Sequence, residues 1–376
     1  MIKGIDLSLL FGPGVPVPAP REVVEAIQTV RIEENSGETP SGFELTFSLD
    51  KNSPLNTIFL LSGGGAIPIL RVALVATLSG RQINLINGVV TMTDIRPGGG
   101  GEQSILRVIG KDLSATMSLL DFSGLPYPAM PPFARVNLIL AKYAWLGVIP
   151  QVIPSLEGPP LPTDKIPRHQ DKDYDYVMRL AHEAGYTFFF KPGPAPASSI
   201  AYWGPEIRIG QVQPALTVDS GPATNVEELR FSYAKEDFSI PVVFIHNQET
   251  KAPIPIPIPP VTPFHPPLGA IPPLPPRIDR LTDTARLKPA EAIQRGFAHA
   301  ARNADPVTGQ GRIDVLRYGR IIRARSLIGV RGAGQAFDGV HYVKSVTHDI
   351  SRGSYKQSVE LKRNGLLPTQ SAVPAE

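Results

Sequence analysis

Apolar and polar residues alternate without a break from Phe43 to Leu49 (FELTFSL), which predicts a strand with Phe43, Leu45, Phe47 and Leu49 on one buried face. A strand over Ile27–Glu33 precedes it, separated by turn formers between Asn35 and Gly42. Arg71–Leu78 and Gln82–Ile86 flank Ser79-Gly80, a pair suited to a two-residue hairpin. Asn87–Asp94 continues the sheet, Gly98–Gly101 makes a glycine turn, Gln103–Gly110 returns, and Lys111–Leu113 closes the block. Residues 21–120 therefore read as an antiparallel β domain, with residues 1–20 as an extended N-terminal arm.

The period then changes. Phe133–Trp145 carries a helical pattern, and the proline-rich stretch Pro150–Pro167 connects it onward. In the next helix Tyr174, Val177, Ala181 and Ala184 share a face. Asp171 and Asp173 suit its N-terminus, His182 its last turn, and Gly185 its stop. Tyr186–Phe190 is a run of strand formers, and Lys191–Ser199 is a loop. Residues 121–200 form a mixed α/β insertion on this reading.

Residues 201–365 return to strands, the clearest at Thr224–Tyr233 and Ile240–His246. Within them lies Ala252–Pro276, where 12 of 25 residues are proline. Such a tract cannot enter a helix or a sheet interior, so it reads as an extended surface loop, a strap being the alternative. A helix over 289–303 follows, with Pro289 in its first turn and Ile293, Phe297, Ala300 and Ala301 on one face. Strands are expected at Gly311–Tyr318, Ile321–Val330, Val340–His348 and Tyr355–Leu361. The last has Tyr355, Val359 and Leu361 on one face, and Ser351–Ser354 turns into it. Residues 366–376 are a C-terminal tail.

Composition narrows the function classes. With 376 residues the chain has room for two or three domains, and 41 prolines with 34 glycines argue against a mainly helical protein. A net charge of +3 with interspersed signs, and no Lys/Arg block, gives no nucleic-acid signature. The absence of cysteine excludes disulfides, thiolate zinc sites and thiol nucleophiles. The N-terminal MIKGIDLSLL is interrupted by Asp6 and does not read as a signal peptide, and no run of 18 apolar residues occurs. Cytoplasmic assembly without Sec export or a membrane anchor is the expectation.

Candidate chemistry is sparse. His246 and Glu249 lie three apart, but no His-x-His or HExxH spacing accompanies them. His348 is expected to hydrogen-bond neighbouring backbone, and His341 to be solvated on the opposite face. Asp171, Asp173 and Asp175 lack the spacing of a calcium loop and read as helix capping plus solvated charge. Adjacent Glu227 and Glu228 point to opposite faces of a regular strand and cannot pair as glycosidase acids. Gly63–Gly65 and Gly98–Gly101 lack the Lys-Ser/Thr of a phosphate loop, and there is no G-x-S-x-G elbow. Arg317, Arg320, Arg323, Arg325 and Arg331 form a basic series that is either a solvated or interface face or a charged pore lining. No catalytic, cofactor-binding or metal-binding residue is nominated.

The segment Asp171–Phe190 (DKDYDYVMRLAHEAGYTFFF) resembles a block found in phage late control D proteins, VgrG spike proteins and hub proteins of contractile injection systems. Gly88-Val89-Val90, Leu106–Asp112 and Tyr342–Ile350 resemble further strand motifs of that family, in order. The resemblance spans roughly residues 20–365. It implies a mainly β (α+β) fold with two tube-protein-like antiparallel β-barrel domains, a mixed α/β insertion and a proline-rich loop at 252–276. It also implies a non-enzymatic baseplate hub: a homotrimer whose six similar barrels join a hexameric inner tube to a trimeric spike. Expected partners are the spike protein, the inner-tube (tube-initiator) protein, other baseplate proteins and the tape-measure protein, in a phage tail-like particle. No OB-fold, β-helix or lysozyme segment follows residue 365, so the spike tip is expected on another polypeptide. A tail-associated peptidoglycan-degrading enzyme and a VgrG-like spike component are the alternatives.

Overall fold

Three blocks of secondary structure follow one another. The first lays down β1 (Ile5–Pro13), β2 (Val17–Pro18), α1 (Arg21–Glu25), β3 (Ile27–Asn35), β4 (Gly42–Leu49), β5 (Leu70–Leu78), β6 (Arg81–Arg96) and β7 (Ser104–Asp112). The second holds α2 (Pro132–Ala141), β8 (Val148–Val152), α3 (Asp173–Ala184), β9 (Thr187–Pro192) and β10 (Ser199–Gly204). The third begins with β11 (Val212–Thr217), β12 (Val226–Tyr233), β13 (Ser239–His246), β14 (Pro253–Pro257), β15 (Gly269–Ile271), β16 (Arg277–Leu281) and α4 (Pro289–Arg302). It ends with β17 (Val307–Asp314), α5 (Val315–Tyr318), β18 (Leu327–Arg331), β19 (Gly339–Ser351), β20 (Ser354–Arg363) and β21 (Leu366–Pro368). This computed structural model describes residues 5–37, 39–49, 55, 69–98, 103–155, 157–163, 166–246, 252–259, 265–274, 276–282, 284, 287, 289–370 and 373–374. The glycine runs at 63–65 and 99–101, and Glu249, lie outside the described residues.

Six strands of the first block lie in the order β3-β4-β7-β6-β5-β1, and six of the third in the order β12-β17-β20-β19-β18-β11. Ranked along the chain, both orders are second, third, sixth, fifth, fourth, first. The match extends to irregularities. A β-bulge between Ile27 and Thr29 on β3 has its counterpart between Val226 and Glu228 on β12. A second, between Val90 and Met92 on β6, has its counterpart between Val343 and Ser345 on β19. Since a bulge shifts register by one residue, coincident bulges fix which residues are equivalent. Gln28 corresponds to Glu227, Arg31 to Arg230, Thr91 to Lys344 and Ile95 to His348. Two pairs differ: β5·β6 has a bulge between Leu74 and Val75 that β18·β19 lacks, and β1·β5 is antiparallel where β11·β18 is parallel.

The alternation read in the sequence drives this packing. Phe43, Leu45, Phe47 and Leu49 are buried along β4 with Ile32, Val108 and Tyr355, while Val343, Val346, Val359, Leu361 and Ile313 fill the second unit. Ser79-Gly80 turns the β5–β6 hairpin with positive φ at both residues (49° and 78°), as a two-residue turn requires. In the insertion, the small β8-β10-β9 sheet packs with α2 and α3 around Trp203, Tyr176 and Phe188. Gly185 ends α3 in the left-handed conformation (φ 69°).

Four expectations change. The N-terminal arm is an integral strand, since β1 pairs along the whole of β5 and buries Ile5, Leu9 and Phe11. The strand expected at Gly311–Tyr318 stops at Asp314, whose carboxylate accepts from the amides of Leu316 and Arg317 and starts α5. The strand expected from Ile321 begins only at Leu327, because Arg325 takes a positive φ of 63°. The barrels are curved open sheets rather than hydrogen-bonded rings among the described residues: β3 gives its outer edge to β19, so β1 cannot close onto it. That pairing fuses the two units into a single 13-stranded sheet.

The proline tract does enter a sheet, but only at its rim. Strand β14 pairs β13 on one side and has no partner on the other among the described residues. The amide of Ile258 donates to Pro241, so by the period of two Ile254 and Ile256 also face β13. Pro253, Pro255 and Pro257 turn outward, where no donor is required.

Candidate assembly interface

Eight strands, β12-β17-β20-β19-β3-β4-β7-β6, run side by side with one face on the cores and the other in solvent. The solvent face is mainly polar, with Met92, Ile105 and Ile109 as apolar positions at its β6–β7 end. It carries Glu228, Arg230 and Ser232 on β12, Gln310 and Arg312 on β17, and Lys356, Ser358 and Glu360 on β20. Thr347 and Asp349 on β19, Arg31 and Glu33 on β3, Glu44 and Thr46 on β4, Arg107 on β7 and Asp94 on β6 continue it. Cations and anions interlock: Arg107 grips Glu44 with two bonds of 2.6 Å, Arg31 lies 3.2 Å from Glu33, and Lys356 is 2.6 Å from Glu227. The Arg107 hydrogen bonds hold Glu44 below the usual carboxylate range. The face thus presents no large field of one sign.

The joint between the units has a different chemistry. Antiparallel β19 and β3 pair from Ser345 opposite Asn35 to Ser351 opposite Thr29. Beneath them Glu34, 2% exposed, meets Arg323 at 2.6 Å and the Ala324 amide at 3.2 Å, with His348 at 3.7 Å. Burial by itself pushes the Glu34 carboxyl up. Arg323, His348 and Arg325 outweigh it and bring it down to about 2. Arg323 also donates to the Asn84 carbonyl at 2.6 Å, and Arg325 donates to the Asn35 carbonyl while stacking 4.4 Å from the Phe189 ring.

At the two ends of the eight-strand run a strand edge is left unpaired among the described residues. One is the outer edge of β12, which pairs only β17. The other is the distal part of β6, Met92–Arg96, which pairs β7 but extends past the end of β5. Along these edges Thr93, Ile95, Leu229, Phe231 and Tyr233 are half-buried.

The residues singled out in the sequence scatter. Arg323 and Arg325 belong to the joint, while Arg317, Arg320 and Arg331 are exposed elsewhere. His348 bonds a side chain rather than backbone, its Nδ1 lying 2.8 Å from the Tyr355 hydroxyl. His341 is fully buried, not solvated, because the Phe231 ring lies 5.2 Å away and Arg363 is buried nearby; burial and Arg363 push it down to about 3. Asp171 and Asp175 are exposed, but Asp173 is fully buried, bound by Lys142 at 2.6 Å and Tyr143 at 2.7 Å with His169 at 3.3 Å. Sequence spacing could not show this cluster, in which Lys142 and Tyr143 lie about thirty residues before Asp173. Glu227 and Glu228 are both exposed, since the bulge between Val226 and Glu228 breaks the alternation. Glu227 is neutralised by Lys356 and by Arg312 at 3.4 Å. No group of three or more His, Asp or Glu able to hold a metal occurs among the described residues. A cavity of about 600 Å³ beside Tyr202 and Arg325 holds one carboxylate, Glu206, which is tied to Arg208 at 2.8 Å.

No family profile and no curated protein matches the chain. Solved structures do. A tail protein from Neisseria meningitidis MC58 superposes with a TM-score of 0.61 at 12% identity, covering 97% of this chain and 98% of that one. The 43 kDa tail protein of prophage MuSo2 from Shewanella oneidensis gives 0.60 at 13% identity, over 95% and 98%. The Francisella PdpA-VgrG complex gives 0.58 at 10% identity, covering 99% of this chain and 60% of that one. The chain therefore has the fold of phage tail and VgrG-like proteins, mainly β throughout.

Proposed function

We propose that this chain is a structural hub subunit at the base of a contractile tail or injection apparatus, three copies forming a ring of six near-equivalent sheet units. One observation carries the reading: two units in one polypeptide share strand order and two bulge positions. A duplicated module lets a threefold ring offer six similar edges, which suits a junction between a sixfold tube and a threefold spike. The fold shared with tail proteins and a VgrG complex supports the same placement. The spike protein, the inner-tube protein, neighbouring baseplate proteins and the tape-measure protein are the proposed partners, in a particle assembled in the cytoplasm.

The polar face suits the inner wall of such a ring, since interlocked charges of both signs give a passing chain no strong electrostatic hold. The role is scaffolding rather than catalysis. No helix among the described residues is long and apolar enough to cross a membrane. Sedimentation at tens of micromolar tests the ring: a trimer is expected, and a stable monomer overturns it. A turbidity assay on cell-wall material that showed clearing would overturn the scaffolding role in favour of a peptidoglycan hydrolase.

A further inference from the structure

The internal joint supplies a template for the contact between copies. In it, the distal half of the fifth strand of one unit (β19) pairs with the second strand of the other (β3). Applying the same operation once more requires the distal half of the remaining fifth strand, β6, and the remaining second strand, β12. These are the two edges left unpaired at the ends of the eight-strand run among the described residues. They cannot meet within one chain, because they stand at opposite ends of the eight-strand run.

We infer that the Met92–Arg96 edge of one copy pairs antiparallel with the β12 edge of a second copy, in a register fixed by the shared bulges. Met92 then stands opposite Ala234, Asp94 opposite Ser232, and Arg96 opposite Arg230. This inference rests on the ring reading and adds its contact.

Burial supports it independently. In the internal joint Val30, Ile32, Val346 and His348 are at most 1% exposed. Their equivalents Leu229, Phe231, Thr93 and Ile95 are only half-buried. The template therefore brings Ile95 against Phe231, and both lose the exposure that their counterparts have already lost. Pro97 follows Arg96 and ends the ladder, since it has no amide to donate. One position departs from the template: Arg96 opposes Arg230, where the internal joint has Asp349 opposite Arg31. Arg230 is drawn across its own sheet to Gln310, with Nε at 3.0 Å.

The chain has no cysteine, so engineered thiols report only on this contact. In the full chain Asp94→Cys with Ser232→Cys, both exposed positions, is oxidised at tens of micromolar and run on a non-reducing gel. A covalent trimer is expected. Thr93→Cys with Ser232→Cys places the thiols on opposite faces and is expected to give none. Hydrogen exchange on the unmodified trimer gives a second readout, with the amides of 229–233 expected to be as protected as those of 30–34. A sedimenting trimer that fails to cross-link at 94–232, or cross-links equally from 93, overturns the contact and leaves the ring. A monomer overturns both.

Discussion

The two six-stranded units solve one packing problem with opposite residues. In the first, Phe43 on the third strand lies opposite Gly110 on the sixth, and a Cβ on Gly110 would come within 2.2 Å of the Phe43 ring. The equivalent pair in the second unit is Gly309 opposite Leu361. There the ring comes from Phe231 on the second strand, whose equivalent is Ile32; a Cβ on Gly309 would lie 2.5 Å from it. Large and small exchange strands, and the local volume is kept. What persists between the units is strand order, bulge position and space filled, while residue identity does not. The joints differ in the same spirit: the internal one is locked by the buried Glu34–Arg323 pair, whereas the unpaired edges offer half-buried apolar residues.

Matched substitutions test how equivalent the units are. Phe47→Ala and its counterpart Ile313→Ala remove fully buried side chains and are expected to cost about 3–5 and about 2–5 kcal/mol in denaturant unfolding. A near-neutral result for one would show that its unit does not hold the fold. Glu34→Ala strands Arg323 and is expected to cost about 3–5 kcal/mol by the same measurement. Half-buried Tyr233→Ala, the equivalent change, is expected to cost about 1 kcal/mol in the monomer. Parity between those two would erase the contrast between the joints. Gly110→Leu alone is expected to lose about 1–3 kcal/mol through overpacking against Phe43. Adding Phe43→Gly copies the second unit's pairing and should restore part of that; simple additivity would refute the exchange of volumes.

Acid separates the units next. His341 is buried in the second unit, and its first-unit equivalent is Gly88. Below pH 6.5 the unfolded chain takes up a proton that folded His341 refuses until about pH 3. Stability should therefore fall with pH across that window, by roughly 1.4 kcal/mol per unit at most. His341→Leu should flatten a plot of melting temperature against pH there, and an unchanged slope would remove His341 as the cause. Glu34 has the opposite charge type: its contribution is complete above about pH 4.5 and is lost as pH falls through about 2. The smallest expected effect is Arg96→Asp, which copies Asp349 opposite Arg31 into the contact between copies. It should tighten the trimer by about 0.2–1 kcal/mol, a few-fold in dissociation. Weakening would count against the register.

Much of the strand content was legible because alternation is local. β4, β12, β20 and the Ser79-Gly80 hairpin stand close to where the pattern puts them. Strict alternation did not tell burial, however. The bulge between Val343 and Ser345 puts His341 on the same face as Val343 and Val346, where Phe231, a residue more than a hundred positions earlier, covers it. The Arg323 and Arg325 stretch read as strand, yet its geometry is dictated by Glu34 on the other unit. The duplication itself left almost no trace in the residues, since pairs such as Phe43/Gly110 and Gly309/Leu361 align by volume and by bulge only. The unpaired edges at the ends of the eight-strand run emerged only from strand order, which no local pattern reports.

The segment PIPIP has an effect beyond its own small sheet. Its rim offers a visiting backbone carbonyls but no amides, so half of every ladder rung is missing. In the proposed ring, where backbone would be laid beside backbone, such a margin would stay silent. It would keep the periphery of each subunit from being mistaken for one of the places where a neighbour should dock.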